Sequence, residues 1–326
     1  MITLLQRQRV EWVDIAKGIG IFLMVIGHTG IPKLASQWIY SFHMPLFFFL
    51  SGYFFTSGKY SLKALLQRKF ETIIAPYFFF VLITWIGCEL LQYALFPPHS
   101  LWEVIADGSK GALWFVYVLF FVEVVFWFLD KIQLYLKNNW FKHVFCLIAA
   151  IIGYEAYYSH FHLPYKLEVV GLALLFFDLG YLISGRKSCE RKLNIWLLLI
   201  LAIADVILAY YQVPRLDMAG NSYGMGVSTL LIALLGIFLI IQFSYKLDSI
   251  PKWIRTSIVY IGRNTIVIVG LSSLIYMSLK KLFEVYNVPN YIDLPIRHLL
   301  LWVILVAFIW FFNRYTPFLI GKYRRK

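Results

Sequence analysis

Residues 11–30 read EWVDIAKGIGIFLMVIGHTG, and residues 42–53 read FHMPLFFFLSGY. The first stretch is apolar enough to cross a bilayer, yet it carries Asp14, Lys17 and His28. A charge at the centre of a membrane helix costs roughly 2.5–3.5 kcal/mol on insertion scales. A segment that served only as an anchor would have no use for such residues, so they mark a candidate site. On a helix turning about 100° per residue, Lys17 and His28 differ by about 20° in direction, and Asp14 and His28 by about 40°. All three therefore share one face. The rise from Lys17 to His28 is about 16 Å, which sets a cation towards one membrane surface and an imidazole towards the other.

The rest of the chain extends this reading. Of its 326 residues 61% are hydrophobic and 19% aromatic, while only 14% are charged. Soluble domains carry about 25% charged residues, so the composition points to a polytopic membrane protein. Apolar runs of about 20 residues fall near 10–31, 39–57, 72–96, 112–130, 141–159, 167–185, 193–212, 225–245, 256–279 and 296–319. The first run carries charges and lacks a small-residue cleavage site, so it is read as a retained span rather than a cleaved leader. Connecting segments are short, with no repeat and no low-complexity tract. The expected fold is an all-α integral membrane protein of about ten transmembrane helices, one domain over residues 1–326.

The net charge of +13 is explained by its distribution. With the N-terminus placed in the cytoplasm, the inner segments hold 20 Lys and Arg residues and the outer segments 7. Arg7, Arg9, Lys63, Arg68, Lys69, Arg186, Lys187, Arg191, Lys192, Arg324, Arg325 and Lys326 are on the inner side; Lys33, Lys110 and Arg215 are on the outer. This bias predicts two cytoplasmic termini and basic loops that meet anionic lipid, with no nucleic-acid partner. Cys88, Cys146 and Cys189 are isolated, with no pairing or metal-ligand spacing, and read as small apolar fillers.

Several residues stand out individually. Burial is expected to keep the His28 imidazole neutral, the form a general base or a nucleophile needs. Lys17 has three open readings: snorkelling to headgroups, pairing with Asp14, or holding a ligand phosphate. Pro45 suits a first helical turn, which places His43 near a cap at the outer surface. Ser51 and Gly52 are small residues amid aromatics, a pattern of close helix packing. Glu123 is the acidic residue least able to reach either surface, so His28, Lys17 or Arg263 is expected to face it. Asp178, Asp205 and Glu89 lie nearer span ends, where interfacial water can solvate them. Arg263 follows a glycine near a helix start and suits a lipid or ligand phosphate.

The spacing Lys17-x10-His28 matches the Arg/Lys-x10-His signature of the membrane-bound acyltransferase-3 family. The opening Asp14-x-x-Lys17-Gly18-Ile19, then Phe42-His43-Met44-Pro45-Leu46 and Leu50-Ser51-Gly52-Tyr53, resembles that family too. Leu113-Trp114-Phe115, Leu179-Gly180-Tyr181, Asn221-Ser222-Tyr223-Gly224, Ile261-Gly262-Arg263-Asn264-Thr265 and Tyr315-Thr316-Pro317 through Lys322 agree along the chain. In style it is most similar to fucose 4-O-acetylase-like proteins.

The resemblance implies a multi-pass enzyme of the bacterial inner membrane. It would move an acetyl group from acetyl-CoA to a hydroxyl of a cell-surface polysaccharide or its lipid-linked precursor, without a metal. It implies His28 as the catalytic residue, as base or acyl carrier, with Glu123 and Asp14 beside it. Lys17, Arg68, Lys69 and Arg263 would bind coenzyme, and His43, Ser51, Trp114, Asn221 and Tyr223 the carbohydrate. The 16 Å rise, about what helix geometry gives, is comparable to the reach of a phosphopantetheine arm. Two departures are evident: relatives carry a second basic residue where this chain has Glu71 or Thr72, and a histidine where it has Leu271-Ser272-Ser273. The chain also has no appended hydrolase-like domain, so it would act alone or with a separate glycan-assembly partner, and homo-oligomerisation is left open. The alternative is a transporter or flippase for a lipid-linked sugar, its buried charges forming a proton relay.

Overall fold

A computed structural model describes residues 11–90, 112–159, 163, 166–184, 193–247 and 250–322. The expected placement of both termini lies outside these residues. So do Cys189, Lys110 and the basic residues Arg7, Arg9, Arg186, Lys187, Arg191, Lys192, Arg324, Arg325 and Lys326.

The chain folds as helices: α1 (Glu11–Gly27), α2 (Lys33–Tyr53), α3 (Leu62–Lys69), a π-helical turn (Phe70–Ile74), α4 (Ala75–Leu90), α5 (Trp114–Leu136) and α6 (Phe141–Tyr158). They continue as α7 (Val169–Ile183), α8 (Ile195–Tyr210), α9 (Val227–Lys246), α10 (Lys252–Gly262), α11 (Thr265–Val285) and α12 (Asn290–Tyr315). A 3-10 turn, Pro317–Ile320, follows. Where the described residues cover them, the apolar runs of the sequence lie largely in helix. Among the described residues four helical stretches are long and apolar enough to cross a membrane: Leu62–Leu90, Val227–Lys246, Thr265–Val285 and Asp293–Tyr315. Val169–Ile183 and Ile195–Tyr210 are shorter apolar helices. The protein is an all-α membrane protein.

Its polarity is that of a body immersed in lipid. Outward positions are large and apolar, as with Ile152 on α6 and Trp196, Ile200 and Ile203 on α8. The charged side chains Asp130, Lys142, Asp178, Asp205 and Arg297 are buried inside. Burial of a charge is tolerable only with a partner, and partners are present. Lys142 donates to Asp130 at 2.7 Å, with both side chains 1% exposed. The His143 Nδ1 lies 2.8 Å from Asp178, and the Trp38 indole donates to Asp205 at 2.9 Å. Asp178 and Asp205 are therefore held by protein groups, not by interfacial water as the sequence suggested.

Helices meet where glycine removes a side chain. A Cβ on Gly52 of α2 would strike the Phe177 carbonyl, and one on Gly180 of α7 would strike the Phe49 carbonyl. The same reciprocity joins α1 to α10: Gly262 faces the Asp14 carbonyl and Gly18 faces that of Ile258. Such close backbone approach drives association where lipid gives no hydrophobic incentive.

Two expectations are corrected, and two features appear that the sequence reading did not register. α2 begins at Lys33, so Pro45 lies inside the helix and His43 is 2% exposed in mid-helix rather than at a cap. The ninth apolar run divides at Arg263–Asn264 into α10 and α11; Asn264 donates to the Tyr260 carbonyl at 2.7 Å and so terminates the first helix. The third run is preceded by α3 and the π turn, which carry Arg68 and Lys69 on helix. A short antiparallel hairpin, β1 (Leu216–Asp217) and β2 (Ser222–Tyr223), occupies the segment between α8 and α9.

Candidate active site

The face of α1 inferred from the sequence is turned towards α2. Ile21, Met24 and His28 line a cavity of about 180 Å³ together with Tyr40, His43, Met44 and Phe47 of α2. Four residues before Ile21, the Lys17 ammonium lies 5.4 Å above the ring of Phe54, which caps α2. The stripe therefore runs from a cation at one end of the α1–α2 seam to an imidazole at the other. Trp114 and Phe115 of α5 close one side of the cavity, and Val269 of α11 another.

His28 follows the last residue of α1 and is exposed, not desolvated as the sequence suggested. The desolvated imidazole is that of His43. Both rings are oriented alike: His28 Nδ1 lies 2.8 Å from the Met24 carbonyl and His43 Nδ1 2.8 Å from that of Ile39. A carbonyl can only accept, so each Nδ1 carries a proton, and in the neutral ring Nε2 is the nitrogen that presents the lone pair. The ring centroids are 6.1 Å apart, with Tyr40 5.4 Å from His28 and 4.9 Å from His43.

The hairpin covers this end. Leu216, Asp217, Met218 and Ala219 form part of the cavity wall. Arg215 holds the hairpin down: its guanidinium sits 3.7 Å over Tyr40 and donates to the Ser36 hydroxyl at 2.7 Å. Asn221 adopts a left-handed conformation at the turn. Both amide atoms of Asn221 and the Tyr223 hydroxyl are buried without a hydrogen-bond partner among the described residues. Burial raises the Tyr223 phenol well above its ordinary pKa, and the Glu168 carboxylate adds to this. Neither Asn221 nor Tyr223 is part of the cavity wall; they sit behind the residues that are.

At its opposite end the cavity is bounded by Thr72 and Ile73 of the π turn and by Thr265 and Ile266 of α11. The Thr72 hydroxyl donates to the Arg68 carbonyl at 2.8 Å. π turns are frequent at functional sites, and this one turns two residues into the cavity. Beside it lies a smaller cavity of about 150 Å³ whose wall includes Lys59, Arg68, Lys69, Ser51 and Glu123. Arg68 donates to the Tyr60 hydroxyl at 2.7 Å, and Lys59 lies 5.1 Å from that ring. Arg263 Nε donates to Asp14 at 2.7 Å. Lys322 donates to the side-chain oxygens of Asn264 at 2.6 Å and Asn313 at 2.7 Å. Cations thus gather at this end, among them Lys17, Lys59, Arg68, Lys69 and Arg263.

The partner of Glu123 is Lys69, 2.5 Å away, and not His28, Lys17 or Arg263. Ser51 donates to the Phe47 carbonyl at 2.8 Å and faces the basic cavity, away from His28. Trp114 stands in the cavity wall shared with His28. Sequence reading passed over Tyr40, Thr72 and Thr265 as site residues, and treated Lys59 only as a loop charge. Of these only Lys59 carried a signal, its place beside Tyr60 ahead of Arg68.

A family profile described as an acyltransferase domain matches residues 10–319. The chain belongs to this acyltransferase family. It is also similar to the nodulation protein NolL of Mesorhizobium japonicum, 34% identical over 125 residues, a match covering 33% of this chain and 32% of that protein. The similarity thus spans about a third of the curated relative's length. No solved structure matches the chain.

Proposed function

We propose that this acyltransferase moves an acetyl group from acetyl-CoA to a hydroxyl of a cell-surface polysaccharide or its precursor, with His28 as general base. The chain acts in the bacterial inner membrane, about ten helices crossing it as one domain over residues 1–326, with both termini and the basic end in the cytoplasm. One observation supports this above the rest: His28, its Nδ1 held by the Met24 carbonyl so that Nε2 is the basic nitrogen of the neutral ring, stands in the wall of a cavity whose far end, at Thr72, borders the cationic cavity.

Coenzyme phosphates are gripped by Lys17, Lys59, Arg68, Lys69 and Arg263, whose charges favour a polyanion. The pantetheine arm passes Thr72 and Thr265 and brings the thioester towards His28. Nε2 takes the proton from the acceptor hydroxyl, whose oxygen bonds to the thioester carbonyl carbon. The carbon–sulfur bond then breaks with its electron pair on sulfur, and His28 returns the proton to give free CoA. An acetyl-histidine intermediate would use the same lone pair as nucleophile. His43 and Trp114 line the same cavity as His28 and pack around the acetyl group there, while Asn221 and Tyr223 stabilise the covering hairpin. Glu123 acts through Lys69, and Asp14 through Arg263, as positioning residues.

Analysis of surface glycan from a deletion strain tests this reading. O-acetyl groups should be lost, return with the wild-type chain and stay absent with His28→Ala. Unchanged O-acetylation in the deletion strain would overturn the assignment.

A further inference from the structure

The wall of the His28 cavity is not the only one to which this ring belongs. A second cavity, of about 160 Å³, lies on the other side of α1 between α11 and α12. His28 and Met24 line both cavities. The remaining polar surface of the second is made of hydroxyl residues: Thr29, Ser272, Ser273 and Tyr276.

Two of these side chains, Thr29 and Tyr276, are held by a network rooted in α12. The Tyr276 hydroxyl donates to the Thr29 carbonyl at 3.1 Å and accepts from Arg297 at 3.2 Å. Arg297 is buried and ion-paired with Asp293, its Nε donating at 2.8 Å. His298 Nε2 lies 2.7 Å from the Thr29 hydroxyl. Side chains fixed in this way form a preorganised site, since little rotamer freedom remains to be lost on binding.

The two cavities differ in extent. Along α11 the first is lined by Thr265, Ile266 and Val269, and the second by Ser272, Ser273, Tyr276 and Met277. The second therefore begins about 10 Å further along the helix, counted from Thr265 to Ser272. It starts at His28 and leads away from the basic end. Nothing in its wall suits a polyphosphate: Met24, Val25, Met277 and Leu301 make most of it apolar, and the Tyr276 ring with the hydroxyls of Thr29, Ser272 and Ser273 offers the combination of apolar surface and a few polar groups that a sugar ring can use.

We infer that this second cavity is the acceptor subsite, where Ser272, Ser273 and Tyr276 contact the carbohydrate and present one hydroxyl to His28 from the side opposite the thioester. The inference rests on the acetyl-transfer reading above. The acceptor oxygen bonds to the carbonyl carbon delivered through the first cavity, its proton goes to His28 Nε2, and the thiolate leaves with the carbon–sulfur electron pair. Donor and acceptor thus reach one imidazole from separate cavities, and each can be blocked without the other.

Steady-state kinetics on membranes holding the full chain test this, with acetyl-CoA as donor and alkali-deacylated surface glycan of the source cells as acceptor. Ser273→Trp should raise the apparent KM for glycan by about tenfold or more, while leaving that for acetyl-CoA within about twofold. Thr72→Trp, in the first cavity, should show the reverse. If Ser273→Trp does not accumulate, Tyr276→Phe, which loses one oxygen, should give the same split at several-fold. A rise confined to the acetyl-CoA KM, or no change in either constant, would overturn the subsite. If the wild-type chain releases no CoA with glycan present, the acetyl-transfer reading itself fails and the subsite falls with it.

Discussion

Lys69 and Glu123 form an ion pair of 2.5 Å between the end of α3 and the middle of α5. It explains how a carboxylate is tolerated at 7% exposure, and it fixes one cation of the basic end. Removing one member of a buried pair leaves an uncompensated charge, at a cost of about 3–5 kcal/mol, whereas replacing both by apolar groups is often neutral. Lys69→Met should therefore lower the melting temperature of the purified protein more than the double replacement Lys69→Met/Glu123→Leu. Equal losses in the two variants would show that the pair does not act as a unit.

Gly180 and Gly52 permit the seam between α2 and α7, each meeting a backbone carbonyl of the other helix. Overpacking of a close contact costs about 1–3 kcal/mol. Gly180→Val should reduce thermal stability and membrane yield, as read by fluorescence-detected gel filtration. Gly58, with open space around it, should tolerate Asn without such a loss.

Tyr223 carries a buried hydroxyl with no partner among the described residues. An unsatisfied buried polar group costs about 1–3 kcal/mol, so removing it relieves that cost. Tyr223→Phe should leave the melting temperature equal or higher, whereas a clear fall would reveal a partner for the hydroxyl.

The α1 stripe was legible because helical periodicity alone places Lys17 and His28 on one face, and both indeed border the seam with α2. The burial of His43 was not legible. It depends on α2 continuing through Pro45 to Lys33, and the apolar run that would have signalled this starts only near Ile39. Nor was the partner of Glu123, since Lys69 reaches it through a π turn that hydropathy does not register. The hairpin escaped notice because strands of two residues carry no period. The break at Asn264 falls where Gly262, Arg263 and Asn264 interrupt the ninth run, and it depends on one carboxamide capturing a carbonyl. The three-dimensional meeting of Arg68, Lys59 and Lys17 likewise needs tertiary packing.

His28 is the group on which donor, acceptor and both cavities converge, and thiol release measures its role directly. Purified wild-type chain given acetyl-CoA and deacylated glycan should liberate free CoA. His28→Ala should lower that rate by about 10²–10⁴-fold, the range general-base catalysis supplies, with gel-filtration profile and melting temperature preserved. A well-folded His28→Ala protein that releases CoA at the wild-type rate would contradict the account.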